Sequence, residues 1–94
     1  MRRYAARADG NQKDIVAGLR SAGAAVAPTH TVGAGFPDLL VGFEGKNILM
    51  EVKDPSKPKN DQRLTPAQVK FHSEWPIQIH VVFTVQEAKE ALRK

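Results

Sequence analysis

The stretch that decides the fold runs from Asp38 to Lys53: Asp38-Leu-Leu-Val-Gly-Phe43, then Glu44-Gly45-Lys46, then Asn47-Ile-Leu-Met-Glu-Val-Lys53. Two apolar, partly β-branched runs around a tight turn at Gly45 are the pattern of a β-hairpin. The second run stays largely apolar until Glu51 and Lys53. Alternate strand residues face opposite ways, so Glu51 and Lys53 share one sheet face while Met50 and Val52 point to the other. A carboxylate and an ammonium in so apolar a strand need partners, because each is costly to bury alone.

An ion pair between Glu51 and Lys53 at a strand end would account for those two residues. The turn, however, folds Asp38 back beside Glu51 and brings a second carboxylate toward the same point. Converging carboxylates repel unless a cation lies between them. Oxygen donors suit a hard divalent ion such as Mg²⁺, and carboxylate-bound Mg²⁺ characteristically acts on phosphate oxygens. A neighbouring lysine can orient or deprotonate the attacking water, or neutralise charge on the phosphorus centre. In outline this is a site for phosphodiester hydrolysis.

On the N-terminal side, Asp9, Gly10 and Asn11 supply turn and N-cap chemistry. Ile15, Val16, Leu19 and Ala22 then recur at helical spacing up to Gly23, which predicts a helix over about 11–22 with a C′ glycine. Residues 24–30 read as a short strand entering the small-residue loop Gly33-Ala34-Gly35-Phe36-Pro37. On the C-terminal side, residues 54–63 (DPSKPKNDQR) form a solvated, mainly basic loop. Thr65 and Pro66 mark a helix start, and Gln68, Phe71, His72 and Trp75 fall on one stripe of that helix. Residues 77–83 predict a strand, and Thr84 with Glu87 a capping box for a last helix ending near Arg93. The order is α-β-β-β-α-β-α, an α/β fold.

The 94 residues give one domain spanning 1–94. With 41% hydrophobic and 26% charged residues, the composition excludes disorder, collagen and coiled coil. No apolar run is long enough to span a membrane, and the N-terminus lacks the apolar stretch of a signal peptide, so a soluble protein is expected. The absence of cysteine excludes a disulfide framework and a thiolate zinc site. A zinc site from His30, His72 and His80 has no ligand spacing to support it. The net charge of +4 makes a polyanionic partner plausible.

Gly35-Phe-Pro37-Asp38, twelve intervening residues, and Glu51-Val-Lys53 resemble the PD-(D/E)xK nuclease signature. The likeness extends from Asn11-Gln12-Lys-Asp-Ile-Val through the hairpin to Leu64-Thr-Pro-Ala-Gln68 and Phe71-His72. As a whole the chain resembles the virus-type replication-repair nuclease (VRR-NUC) family in its small stand-alone form. That resemblance implies a restriction-endonuclease-like αβββαβα core with a mixed sheet flanked by helices. It also implies Mg²⁺- or Mn²⁺-dependent cleavage of structured DNA, an endonuclease resembling Holliday-junction resolvases. A phage or prophage origin and a place in the bacterial cytoplasm follow from the same likeness.

Carried over by position, the resemblance makes Asp38 and Glu51 the metal-binding acids, Lys53 the motif lysine and the Val52 carbonyl a main-chain metal ligand. Gln68 matches the family's helix glutamine. It also suits an ordinary capping turn, yet it shares a stripe with Phe71 and Trp75 and so points inward. His72, one turn on, is an accessory candidate. Many relatives carry a first-helix glutamate, whereas here no Glu precedes position 44. Periodicity puts Gln12 on the buried face with Ile15, Val16 and Leu19, and Asp14 on the outer face. Gln12 is therefore the better substitute.

Arg2, Arg3 and Arg7 in the N-terminal arm, with Lys57, Lys59 and Arg63 after the candidate catalytic strand, are placed to hold a phosphate backbone. The partner expected is branched DNA; the rival reading is a non-catalytic basic nucleic-acid-binding domain that keeps a nuclease-like fold. A homodimer is also expected, because so short a chain buries little of its surface and a two-fold junction needs two matched sites. The surplus apolar residues offered for its interface are Phe43, the Ile79–Val81 face, and Val85, Ala88 and Leu92.

Overall fold

A computed structural model describes residues 8–94. Helix α1 (Gln12–Ser21) precedes strands β1 (Ala25–Pro28), β2 (Leu39–Phe43) and β3 (Lys46–Val52); α2 (Pro66–Glu74), β4 (His80–Val82) and α3 (Val85–Ala91) follow. The four strands form one mixed sheet in the order β1-β2-β3-β4. The first three are antiparallel, and β4 runs parallel to β3. This α/β arrangement, a mixed sheet with three helices, has the element order expected of an αβββαβα core.

The hairpin register pairs Leu39 with Met50 and Phe43 with Lys46. The closing turn puts Glu44 and Gly45 at φ 48° and 81°, the left-handed pair that matches strand twist in a two-residue hairpin. Ile15, Leu19, Leu39, Val41, Met50, Val52, Val82 and Ala88 form the core between one sheet face and helices α1 and α3. Helix α1 ends as expected at Gly23, in αL geometry. The amide of Ala24 donates to Leu19 O and that of Gly23 to Arg20 O, satisfying carbonyls the helix leaves open.

The structure alters four local expectations. The last strand is shorter than 77–83, because β3 ends at Val52 and offers pairing only to His80–Val82. Ile77 is left exposed. Residues 54–63 are more ordered than a plain loop: Lys59–Gln62 form a 3₁₀ turn, and Gln62 Nε2 donates to the carbonyls of Pro55 and Lys57. At α3 only half of the expected capping box forms. Thr84 Oγ1 accepts from Glu87 N, but the Glu87 carboxylate accepts from Phe83 N, one residue before the cap.

The fourth correction concerns the residues offered for a dimer interface. Ala88, Leu92 and Ile79 are buried within the chain, and Phe43 and Val85 pack against its core. Of that group only Val81 remains an exposed large apolar side chain. The α3 stripe is used up in covering the sheet.

Candidate metal-dependent active site

The site forms at the end of β3, where the hairpin, α1 and α2 meet. Continuing the register beyond Leu39–Met50 puts Asp38 opposite Glu51. Asp38 Oδ2 accepts a hydrogen bond from Val52 N at 2.8 Å, which fixes its carboxylate across the strand. Glu51 is fully buried, 0% exposed, and Lys53 is 6% exposed. These are the two charged residues that the strand alternation singled out.

Burial, then a hydrogen bond with Asp38, then the negative charge of Asp38 push the Glu51 carboxyl up to about 9. The ammonium of Lys53 pulls the other way but is outweighed. The acid pair therefore retains a proton at neutral pH, and that proton belongs to the pair. Two converging oxygen groups that keep a proton between them are a donor set from which a hard divalent cation can displace that proton.

Helix α2 supplies the remaining polar partners. Gln68 does both things the sequence allowed for it. As the N3 residue of a capping box, its Oε1 accepts from Thr65 N at 2.8 Å while its backbone N–H donates to Thr65 Oγ1 at 3.2 Å. The same Oε1 accepts from Lys53 Nζ at 2.9 Å, and Nε2 donates to Glu51 Oε2 at 3.0 Å. His72 Nε2 lies 3.3 Å from Glu51 Oε1. Burial, and then the charge of Lys53, lower the His72 pKa, so this contact is a hydrogen bond to a neutral ring. Phe71 sits between Phe36 and Trp75, edge-on to the first and stacked on the second, and carries the helix against the loop before Asp38.

Gln12 is buried, 4% exposed, whereas Asp14 is exposed, as the helical period requires. Gln12 Nε2 contacts His30 Nδ1 at 3.1 Å, and its Oε1 is buried with no partner. An unpartnered buried oxygen costs free energy, and the side-chain hydrogen bond of Gln12 goes to His30 rather than to the acid pair. Among the described residues no three or more His, Asp or Glu side chains form a metal-binding group. A cation here would thus rest on two carboxylates supplemented by neutral oxygens.

Three residues given other roles, or none, in the sequence reading belong to this region. Asp9 is electrostatically linked to Asp38, Glu51 and Lys53, and burial followed by the Asp38 charge raises its pKa. It also lies 3.9 Å from Lys57. Asn11 does not cap α1 through its side chain. Instead its Nδ2 donates to Lys53 O and Phe83 O at 3.0 and 2.8 Å, stitching the helix start to the ends of β3 and β4. His30 follows Thr29, whose amide donates to Asp38 O at 2.7 Å. An Asp-Gly-Asn run signals only a turn; these longer contacts arise from tertiary placement.

Lys57, Lys59 and Arg63 are exposed on the segment directly after Lys53. Arg2, Arg3 and Arg7 lie outside the described residues. Among the described residues no helix is long and apolar enough to cross a membrane. No protein-family model matches the chain, and no curated protein matches it significantly.

Proposed function

We propose that the chain is a Mg²⁺-dependent endonuclease acting on branched DNA, of the VRR-NUC type that its motifs resemble. The observation that carries this reading is the fully buried Glu51 set opposite Asp38 in the hairpin register, with Lys53 and Gln68 closing around it. A structural core would gain by replacing such a group with apolar side chains. Its presence on a basic chain with an exposed basic segment beside it favours phosphate chemistry over mere nucleic-acid binding.

In this reading Asp38, Glu51 and the Val52 carbonyl would hold Mg²⁺, with Mn²⁺ as a substitute and Gln12 as a neutral accessory. The ion supplies Lewis-acid charge at a phosphate oxygen. Glu51 gives up its proton on entering that role, and His72 and Gln68 then donate to its carboxylate. Lys53, fixed by Gln68 Oε1, presents an ammonium where negative charge develops during attack. Lys57, Lys59 and Arg63 hold the substrate backbone and make affinity salt-dependent.

A homodimer remains part of the proposal, on a different surface from the one first expected. Trp75 and Ile77 are 41% and 66% exposed beside an apolar groove of about 340 Å³ lined also by Phe36, Leu40 and Leu49. The test of the activity is a cleavage panel of junctions, flaps and plain duplexes with Mg²⁺, Mn²⁺ or EDTA. The expected result is cation-dependent cutting that favours branched substrates; binding without cutting in either metal would leave the non-catalytic domain.

A further inference from the structure

The capping box of α2 does more than start a helix. A carboxamide oxygen has two lone pairs. On Gln68 one takes the Thr65 amide at 2.8 Å and the other takes Lys53 Nζ at 2.9 Å. The acceptor that receives the ammonium is therefore set by the helix cap. The helix itself has no fully buried residue, so its apolar packing holds it only partly. Its first turn is also clamped from the other side by Gly35, at φ 81°: a Cβ there would run into the Ala67 carbonyl oxygen.

We infer that the backbone N–H of Thr65 positions Lys53 through Gln68: it presets the Gln68 carboxamide, and the carboxamide holds the ammonium at the acid pair. This rests on the nuclease reading only for its consequence in rate. The positioning itself concerns residues of the chain alone. Loss of that N–H frees the side chain of Gln68, and Lys53 then exchanges one fixed acceptor for solvent. Substrate affinity, which the surface cations supply, is left in place.

The test compares the full chain with Thr65→Pro and Thr65→Gly. Proline fits the Thr65 φ of −70° but has no N–H for Gln68 Oε1; glycine keeps that N–H and loses only the hydroxyl, which bonds the Gln68 backbone N. Brief acetylation with acetic anhydride, read by mass spectrometry, reports the reactivity of Lys53 against exposed Lys46 and Lys89 as internal standards. Single-turnover cleavage and DNA affinity are measured on the same samples. Thr65→Pro is expected to raise Lys53 labelling several-fold and lower the cleavage rate by about tenfold, with DNA affinity unchanged and Thr65→Gly close to the parent. Unchanged Lys53 labelling in folded Thr65→Pro, with only a lower melting temperature, would overturn the inference. If the parent chain cuts no DNA while labelling responds as expected, the nuclease reading fails and the positioning stands.

Discussion

Replacing Glu51 by glutamine should stabilise the metal-free protein, and by an amount that grows with pH. The folded chain holds this carboxyl near 9 against an ordinary value of 4.5, because it is buried and hydrogen-bonded to Asp38. A raised acid makes the folded state bind the proton that the unfolded chain releases. Its stabilising effect is complete below the unfolded value and is lost as pH rises toward the folded one. Between those values the parent loses about 1.4 kcal/mol per pH unit from this group alone. Glutamine does not titrate, can donate to Asp38 as the protonated acid does, and can still accept from Gln68 Nε2. From about pH 5 to about pH 8 the advantage of Glu51→Gln should therefore widen by up to ~4 kcal/mol. In a domain of this size even half of that is a gap in melting temperature of roughly 10 °C. Urea denaturation of both proteins in EDTA at several pH values measures it. A stability difference that stays constant with pH would refute the argument, since it would mean that Glu51 carries no excess proton in the folded state.

Lys53→Met should reduce the single-turnover cleavage rate by about a hundredfold while changing DNA affinity little, because one cation among many matters to chemistry more than to binding. Equal losses in both would make Lys53 a simple backbone contact. Gly35→Ala should cost roughly 2 kcal/mol or more in urea denaturation, since its positive φ and its contact with the Ala67 carbonyl both exclude a side chain; a loss within experimental error would show that α2 yields freely. The affinity of the protein for branched DNA in Ca²⁺, measured by fluorescence anisotropy, should fall steeply with salt as Lys57, Lys59 and Arg63 displace counterions. A flat dependence would count against a nucleic-acid partner.

The hairpin and its faces were legible in the sequence because strand alternation and a glycine turn are local signals. The same period separated Glu51 and Lys53 from Met50 and Val52, and helical spacing separated Gln12 from Asp14. Asp9 and Asn11 were not legible as site residues. Their neighbours spell a turn, and their role depends on where α1 docks, through the bonds of Asn11 to Lys53 O and Phe83 O. The residues offered for a dimer interface were not separable from core residues, for a related reason. Periodicity marks Ala88 and Leu92 as an apolar stripe but does not say whether the stripe meets its own sheet or another chain; here it meets its own sheet. Gln68 shows the reverse case: the capping bond and the inward contacts to Glu51 and Lys53 that its stripe predicts are both made by one side chain.

The central claim is that Asp38 and Glu51 form a divalent-cation site, and proton release on metal binding tests it most directly. Titrating Mn²⁺ into the protein by calorimetry, at about pH 7.5 in two buffers of different ionisation enthalpy, counts the protons expelled. Because the acid pair keeps a proton that a cation must displace, close to one proton should leave per bound ion. Asp38→Asn should abolish both the binding and the release. Binding that expels no proton, or that survives unchanged in Asp38→Asn, would contradict the account.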